Sequence, residues 1–310
     1  MTPLDYDFLR QALKQHSGLA LSADKHYFLE SRLLPLARRT GLGGVGDLVL
    51  ALKTGRDPAL MVAVVEATTT SESFFFRDKT PFDHFRRLIM PALLAARRQS
   101  RVVRIWCAAA ANGQEPYSIA ICLREMASAI AGWRIEILAT DLSDAVLRRA
   151  RQGLYSQFEV QRGLPIKLLV KYFTRVGELW QIAPEVRTMV KYRRFNLLAD
   201  FASLGTFNVI LCRNVLIYFD QDTKSDVFRR LGEALAGDGY LVLGAAETAM
   251  GLSDRFKMVS DKPGLYTLNT ISSRHLVQPR TTHARPRLIA INGGRVTVSY
   301  QHSDGRKRRQ

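Results

Sequence analysis

The segment at residues 105–118 reads IWCAAAANGQEPYS, and it decides the fold class. It begins inside an apolar run at residues 102–107, which has the length and composition of a buried strand. Four alanines follow, and a segment with helical spacing then runs from Gln114 to residue 130. Small residues between a strand and a helix let a ligand approach the backbone closely. The segment therefore predicts the first strand–loop–helix unit of an α/β sheet, with a ligand against the alanines.

The same alternation continues through residues 101–269. Further elements are predicted as strands at 134–139, 207–212 and 240–244, helices at 144–151 and 222–236, and a turn at 237–239. This order predicts a mainly parallel sheet with its ligand at the carboxyl ends of the strands. Two short segments around Pro263 and Gly264 predict an antiparallel hairpin that closes the sheet.

Other regions surround or interrupt this sheet domain. Residues 1–67 have helical spacing and no strand alternation, which predicts an all-α N-terminal domain, and residues 68–100 are predicted as a linker and connecting helix. Residues 155–195 predict a small antiparallel β insert, with a short helix at 165–173. The insert is expected to contain a hairpin between alternating segments that end at Ile182 and begin at Met189. Residues 270–310 are expected to form a basic, flexible tail.

Composition places the chain among ordinary soluble globular proteins. Hydrophobic residues make up 47% and charged residues 24% of its 310 residues. No run reaches the roughly 18 apolar residues of a membrane span, and the acidic N-terminus is unlike a secretion signal. A cytoplasmic location is therefore predicted. The 3 cysteines are far apart and the 6 histidines are scattered, so neither a disulfide framework nor a metal site is expected.

The net charge of +17 raises the question of a polyanionic partner. Residues 270–310 hold nine basic residues against one acid, a net +8, and the remaining +9 is spread over residues 1–269. This spread favours docking onto an acidic partner, and polyanion binding by the tail alone remains the alternative. Nucleic acid is not expected as the substrate.

Two acids predict the kind of ligand. The first loop has neither G-x-G-x-x-G nor G-x-x-x-x-G-K-[ST], and Glu115 at the helix start would repel a pyrophosphate but suit an amino group. Asp141 ends the second strand, where an acid commonly binds the ribose hydroxyls of a nucleoside. Each acid could instead cap a helix. Together they predict a nucleoside ligand without phosphates, such as S-adenosylmethionine.

Two further motifs are expected to border this ligand. CRNVLIYFD (residues 212–220) follows the third strand, and its polar side chains are costly to bury unless they are used. TTTSESFFFRD (residues 68–78) joins the two domains and fits a lid over the site. The alternatives are that Tyr218 packs in the core with its hydroxyl outward, and that the phenylalanine run is only a linker that fills apolar surface.

The ordered set TTTSESFFFRD, WCAAAANGQEPYS, ATD, FNLL and CRNVLIYFD closely resembles the CheR-type chemotaxis receptor methyltransferases, which are protein-glutamate O-methyltransferases. The resemblance covers residues 1–269. It implies an S-adenosylmethionine-dependent methyltransferase sheet domain of Rossmann-like fold, with S-adenosylhomocysteine as the product. Serines at positions 71 and 73 depart from the Asn and Thr common in the family, and Ala111-Asn112 replaces the usual Ser-Thr.

Residue by residue, the resemblance implies a cofactor pocket and an acceptor site. The cofactor pocket would be lined by Ser71, Ser73, Arg77, Ala108, Glu115, Asp141, Asn196, Leu197, Asn214 and Val215. Arg77 and Tyr218 would face the methyl group and the acceptor carboxylate as catalytic residues. A glutamate carboxylate, with a reference pKa of about 4.3, is already ionised near neutrality, so no general base is needed. A guanidinium and a phenol can hold it by hydrogen bonds.

The resemblance also implies partners. The expected substrate is the acidic helical cytoplasmic domain of chemoreceptors, docked on the N-terminal domain, where residues 25–56 hold six basic residues against two acids. Some family members bind a receptor's C-terminal pentapeptide through an edge strand of the insert. The short 183–188 hairpin and Pro184 predict no such tether here, and we expect a monomer. Two other functions remain open, a cofactor-sensing scaffold without transfer and nucleic-acid methylation, although the acceptor motif of DNA amino-methyltransferases is missing.

Overall fold

A computed structural model describes residues 1–55 and 57–269. The predicted tail at 270–310, and Arg56 from the charge count, lie outside the described residues. The N-terminal region consists of four helices, namely α1 (Pro3–Ser17), α2 (His26–Arg39), α3 (Val45–Lys53) and α4 (Pro58–Thr68). Their apolar stripes meet in one core that includes Tyr6, Leu9, Leu29, Leu33 and Val64.

The ends of α1 show how local sequence defines this domain. Thr2 accepts a hydrogen bond from the Asp5 amide, and the Asp5 carboxylate accepts one from the Thr2 amide, which makes a capping box. The helix ends at Gly18, whose φ of 78° favours glycine. A Cβ at Gly18 would lie 2.7 Å from the Phe219 ring. Gly18 therefore lets the end of α1 pack closely against the sheet domain.

A helical connection follows the interdomain segment. It consists of α5 (Thr80–His84), a π-helical turn (Phe85–Ile89) and α6 (Met90–Ala96). Phe75, Phe76 and Phe82 are buried in the core beneath the sheet. The phenylalanine run thus fills apolar surface, as the linker alternative expects, and it also fixes the residues beside it.

The main sheet has seven strands, namely β1 (Val102–Ala108), β2 (Arg134–Asp141), β6 (Val190–Arg194), β7 (Phe207–Cys212), β8 (Leu235–Leu243), β9 (Phe256–Met258) and β10 (Leu265–Leu268). Their order in the sheet is β6-β2-β1-β7-β8-β10-β9. The first five are parallel neighbours, and β10 and β9 add the predicted antiparallel hairpin. Its main helices are α7 (Gln114–Glu125), α8 (Asp144–Gln152) and α12 (Gln221–Ala234).

Several predicted boundaries differ from the observed ones. Helix α7 ends at Glu125 rather than at residue 130, and residues 126–132 form turns. Residues 237–239, predicted as a turn before the last parallel strand, lie inside β8 instead. The pairing of β8 skips from Leu235 opposite Phe207 to Tyr240 opposite Val209, so these residues form an irregular bulge. Glycine and aspartate mark the bulge in the sequence just as they would mark a turn.

The insert consists of β3 (Leu154–Ser156), α9 (Gln157–Gln161), α10 (Ile166–Tyr172), β4 (Phe173–Val176) and β5 (Leu179–Ile182). Its three strands form an antiparallel sheet in the order β3-β5-β4. The small antiparallel insert is therefore present, and its hairpin turn is Gly177-Glu178, between β4 and β5.

The predicted hairpin between Ile182 and Met189 is wrong. Residues 183–188 hold a short helix, α11 (Pro184–Arg187), and the next strand, β6, pairs in parallel with β2 at the edge of the main sheet. The strand β6 joins the main sheet because its side chains pack there against the helix above: Tyr192 of β6 packs edge-on against Tyr117 of α7, with ring centroids 5.9 Å apart. Pro184 begins a helix, so it removes no donor from an edge strand.

Candidate active site

A cleft of about 370 Å³ lies at the carboxyl ends of β1, β2 and β7, against the part of the helical N-terminal domain that connects α1 to α2. Nine of the residues predicted for the site line it, namely Ser73, Arg77, Glu115, Asp141, Asn196, Leu197, Asn214, Val215 and Tyr218. Two predicted residues do not. Ala108 is buried at the end of β1, with Ala109 and Ala111 lining the cleft instead, and Ser71 lies outside the lining.

The alanine loop (residues 108–113) forms one wall of the cleft. Ala109 and Ala111 have φ angles of 55° and 47°, a left-handed conformation that is uncommon outside glycine. The Ala110 amide donates to the Thr140 carbonyl at 2.9 Å, which ties the loop to β2. At Gly113, with φ of 91°, a Cβ would lie 2.7 Å from the Tyr192 hydroxyl. Backbone strain of this kind is concentrated at functional sites, and here it presents bare backbone to the cleft.

Asp141 is the last residue of β2 and is only 8% exposed. Its Oδ2 accepts from the Ala111 amide at 2.9 Å, and its Oδ1 accepts from the Ser143 amide at 3.0 Å. Burial raises the pKa of Asp141, while these backbone hydrogen bonds lower it. Ser143, not Asp141, caps α8, so the capping alternative is wrong. Asp141 connects the alanine loop to the second strand and keeps acceptor capacity at the cleft.

Glu115 lies in the first turn of α7 and is also buried. Helix α7 has no side-chain cap, so the capping alternative is wrong here too. The Glu115 Oε2 accepts from Arg213 Nη1 at 2.6 Å. Burial raises the pKa of Glu115, and the Arg213 guanidinium opposes that rise. The negative charge predicted for this helix start is present, but a protein cation already pairs with it.

Arg213 is absent from the residues predicted for the site. Its side chain is 1% exposed and also pairs with Asp78 at 2.8 Å, and it donates to the Arg77 carbonyl at 2.9 Å. It thereby joins α7, the end of β7 and the segment that carries Arg77. The signal in the sequence was its position directly after a buried strand, where a cation is costly unless it is paired.

The interdomain segment (residues 69–79), here named the lid, lines part of the cleft, including through Ser73 and Arg77. Phe76, Asp78 and Lys79 all have positive φ. The Phe76 amide donates to the Ser118 hydroxyl at 3.0 Å, so the QEPYS helix anchors the lid. Arg77 lies beside the Phe74 ring, with its guanidinium carbon 5.4 Å from the centroid.

Ser71 contributes to the lid through its backbone. The Asn112 side chain donates to the Ser71 carbonyl at 3.4 Å, which connects the lid to the alanine loop. The unusual Asn112 therefore contacts the lid, and the Ser71 side chain does not line the cleft.

The tyrosine loop (residues 213–220) follows β7. Asn214 has a φ of 58°, and a 3₁₀ turn (Leu216–Tyr218) places Tyr218, half-buried, at the cleft. The backbone amides of Asn214, Val215 and Leu216 in this loop donate to the carboxylate of Glu247, a buried residue after β8. Glu247 is also absent from the residues predicted for the site. The Ala20 amide donates to the Tyr218 carbonyl at 2.8 Å, so the N-terminal domain touches this loop directly.

The N-terminal domain supplies part of the cleft, which the sequence did not predict. Leu19, Leu21, Lys25 and Phe28 line it, from the end of α1 to the start of α2. The Asn196 side-chain amide donates to the His16 carbonyl at 2.7 Å. Contacts between residues so distant in sequence leave no local signal, so only the fold brings them together.

The family comparison agrees with this arrangement. The model described as "CheR methyltransferase, SAM binding domain" matches residues 71–265, and "CheR methyltransferase, all-alpha domain" matches residues 4–69. The chain belongs to the CheR methyltransferase family. The predicted family and fold class, and the S-adenosylmethionine cofactor, are confirmed.

Curated relatives from three organisms are similar over most of the chain. A chemotaxis protein methyltransferase 1 of Pseudomonas aeruginosa is 38% identical over 265 residues, covering 84% of this chain and 96% of that protein. The chemotaxis protein methyltransferase Cher2 of Pseudomonas putida is 37% identical over 84% of this chain and 96% of its own length. A chemotaxis protein methyltransferase 1 of Vibrio cholerae is 38% identical, with 84% and 94% covered. The predicted enzyme class, a chemotaxis protein methyltransferase dependent on S-adenosylmethionine, is confirmed.

The cleft fits this cofactor on its own chemistry. Its volume is in the usual range for a small-molecule site, and Asp141 offers carboxylate oxygens where a nucleoside ribose would lie. Among residues 1–55 and 57–269, no helix is long and apolar enough to cross a membrane. Within the same residues, no group of three or more His, Cys, Asp or Glu is arranged to hold a metal ion.

Proposed function

We propose that the protein methylates glutamate side chains of chemoreceptors, giving glutamyl methyl esters and S-adenosylhomocysteine. The observation that carries the proposal is that Asp141, Arg77 and Tyr218 all line one cleft. A family member with this cleft can hold a nucleoside and a carboxylate next to each other. The acidic acceptor needs no base, because it is already ionised near neutrality.

The cofactor half of the cleft binds by shape and by a few polar groups. Asp141 accepts hydrogen bonds from the ribose hydroxyls, and the bare backbone of the alanine loop lies against the ligand. The remaining contacts come from Ser73, Glu115, Asn196, Leu197, Asn214 and Val215. Ser71 and Ala108 do not line the cleft, and they contribute only by holding the backbone of the lid and of the alanine loop in place. When bound, S-adenosylmethionine supplies an activated methyl group.

The acceptor half is formed by Arg77 and Tyr218. Arg77 Nη1 donates to the Glu72 carbonyl at 3.3 Å, a long bond, and a guanidinium has five N–H donors. It can therefore receive an incoming carboxylate, while the Tyr218 phenol donates a second hydrogen bond. Their task is to align one carboxylate oxygen with the methyl group, and alignment alone lowers a barrier by several kcal/mol.

The receptor docks on the helical N-terminal domain. Five basic side chains of α2, α3 and the loop before α2 are exposed, namely Lys25, Arg32, Arg38, Arg39 and Lys53. This surface continues into the cleft through Lys25, so an acidic helix lying on it would bring its glutamates to Arg77. The protein works in the cytoplasm as a monomer, without a pentapeptide tether.

A transfer assay with tritiated S-adenosylmethionine tests the proposal. The purified protein is incubated with a receptor cytoplasmic fragment, and base-labile label, released as methanol, is expected on the receptor. Arg77→Ala and Tyr218→Phe should each lower kcat by about 10- to 100-fold, the value of one hydrogen bond to a charged group, and leave cofactor affinity nearly unchanged. Label on nucleic acid, or cofactor binding without any transfer, would contradict the proposal.

A further inference from the structure

Glu247 has an unusual set of partners. It is 9% exposed and follows β8, in the sequence GAAET. Its Oε2 accepts from the amides of Gly244 and Asn214, both at 2.8 Å. Its Oε1 accepts from the amides of Val215 at 2.9 Å and Leu216 at 2.8 Å. One carboxylate therefore satisfies four backbone donors, three of them consecutive in the tyrosine loop.

No cation takes part in this arrangement. Among the described residues, no lysine, arginine or histidine nitrogen lies within 4.0 Å of the Glu247 carboxylate. The nearby Arg213 pairs instead with Glu115 and Asp78. Glu247 is thus held by backbone dipoles alone, and a buried carboxylate without a counter-ion is expensive to keep. An ion pair that stabilises the fold does not explain it.

The glycine at position 244 leaves the space that the Glu247 carboxylate occupies. A Cβ at Gly244 would lie 2.7 Å from the Glu247 Oε2 and 3.0 Å from both nitrogens of Asn214. Only a glycine leaves room for the carboxylate and the Asn214 amide to meet. Asn214 is left-handed, with φ of 58°, so its conformation costs free energy that the hydrogen bonds must offset.

The conformation that Glu247 holds determines where Tyr218 lies. The three bound amides belong to the residues from which the 3₁₀ turn Leu216–Tyr218 begins. If these amides turned away from Glu247, the backbone would leave the left-handed conformation at Asn214 and redirect the turn. The phenol would then miss the acceptor carboxylate, and a misplacement of about 1 Å can cost about 100-fold in rate.

We propose that Glu247 is a positioning residue for methyl transfer, which it serves by holding the tyrosine loop so that the Tyr218 phenol meets the acceptor. This inference rests on the proposed function, because it assigns Tyr218 to the acceptor. Glu247 itself touches neither the acceptor nor the methyl group. Its carboxylate acts only through the four amides that it accepts from.

The test is a double-mutant cycle of Glu247→Gln and Tyr218→Phe, measured as kcat at saturating S-adenosylmethionine. Glutamine replaces one acceptor oxygen by an N–H₂ donor, so two of the four amides lose their acceptor in either orientation. We expect Glu247→Gln to lower kcat by about 100-fold in the wild-type chain. In the Tyr218→Phe background its effect should shrink to about threefold, because the phenol is no longer there to be positioned. Active-site titration with S-adenosylhomocysteine corrects each rate for the folded fraction.

The control is Glu233→Gln, which removes an exposed carboxylate from α12 that pairs with Arg229. It should leave kcat unchanged in both backgrounds. Equal fold-losses for Glu247→Gln with and without the Tyr218 hydroxyl would overturn the inference, since general destabilisation is independent of the phenol. If the wild-type protein methylates no receptor, the proposed function fails before any variant is made.

A second measurement does not depend on activity. Hydrogen exchange of the tyrosine loop should be faster in folded Glu247→Gln than in the wild type, and unchanged in Glu233→Gln. Protected amides at residues 214–216 in the Glu247→Gln variant would also overturn the inference. Glu247→Asp keeps both acceptor oxygens on a side chain one methylene shorter, so it should recover part of the protection and part of kcat.

Discussion

The carboxyl edge of the main sheet and the three-stranded insert differ in which side chains they bury and which they expose. The sheet edge buries charged side chains, Glu115, Asp141, Arg213 and Glu247, each with hydrogen-bond partners. The insert instead exposes large apolar side chains, with Ile166 at 69% and Val170 at 73%. Buried charge is costly and persists where it is used. The difference therefore supports the proposed chemistry at the sheet edge, since no charged side chain among the described residues of the insert is buried to the same extent.

The largest expected effect is a loss of unfolding free energy on substitution of Arg213. Arg213→Met would leave the Glu115 carboxylate buried without its cation, and removing one partner of a buried pair costs about 3–5 kcal/mol of unfolding free energy. Urea unfolding measures this loss. Arg229→Met, which removes an exposed arginine of α12, is the matched control and should cost less than about 1 kcal/mol.

The pH dependence of the Arg213→Met variant follows from Glu115. Burial holds the pKa of Glu115 above its usual value, and the loss of Arg213 would raise that pKa further. The folded state then binds a proton that the unfolded state releases, so stability falls as the pH rises from the unfolded pKa through the folded one. The variant should be closest to the wild type in acid and furthest from it near neutral pH. A pH-independent loss would mean that Glu115 is not the charge left behind.

The next effect concerns the cofactor. Asp141→Ala should weaken S-adenosylmethionine binding by about 1.5–3 kcal/mol, the value of hydrogen bonds to a charged acceptor, as measured by calorimetry. S-adenosylhomocysteine should lose the same amount of binding free energy, because the contact proposed for Asp141 is with the ribose and not with the sulfonium. Asp141→Asn keeps one acceptor oxygen and serves as the conservative control. Unchanged affinity in Asp141→Ala would remove this residue from the pocket.

The sequence predicted the sheet edge better than the insert, for physical reasons. Strands and helices alternate along this part of the chain, and the carboxyl ends of parallel strands meet at one edge of the sheet. The sequence could therefore place Asp141, at the end of β2, and Tyr218, after β7, at the same edge. Arg213 and Glu247 were missed because their partners lie far away in the chain. The strand β6 was assigned to the insert because apolar alternation does not tell which sheet a strand joins; its packing on Tyr117 decides that.

A smaller effect is expected from the docking surface. Reversing Arg38 and Arg39 to glutamate should raise the KM for the receptor several-fold and leave kcat almost unchanged, since exposed charges steer association. The increase should fade as salt rises, because screening acts over about 10 Å at 0.1 M. A short glutamate peptide, too small to reach α2, should be methylated equally by both forms. Equal KM values for the receptor at low salt would show that this surface only faces solvent.

The last prediction is that the insert does not bind a receptor C-terminal pentapeptide. Strand addition needs an open edge with backbone groups in register. The insert has two outer strands: β3 has three residues, and β4 has four, of which Thr174, Arg175 and Val176 are exposed. Its turn to β5 is the two-residue Gly177-Glu178, and Arg175 Nε donates to the Gly177 carbonyl at 3.1 Å. Short, charged edge strands resist pairing with another chain. A labelled receptor C-terminal pentapeptide should therefore show no saturable binding below millimolar concentration. Micromolar affinity that is lost in an Arg175→Pro variant would show that β4 accepts a strand after all.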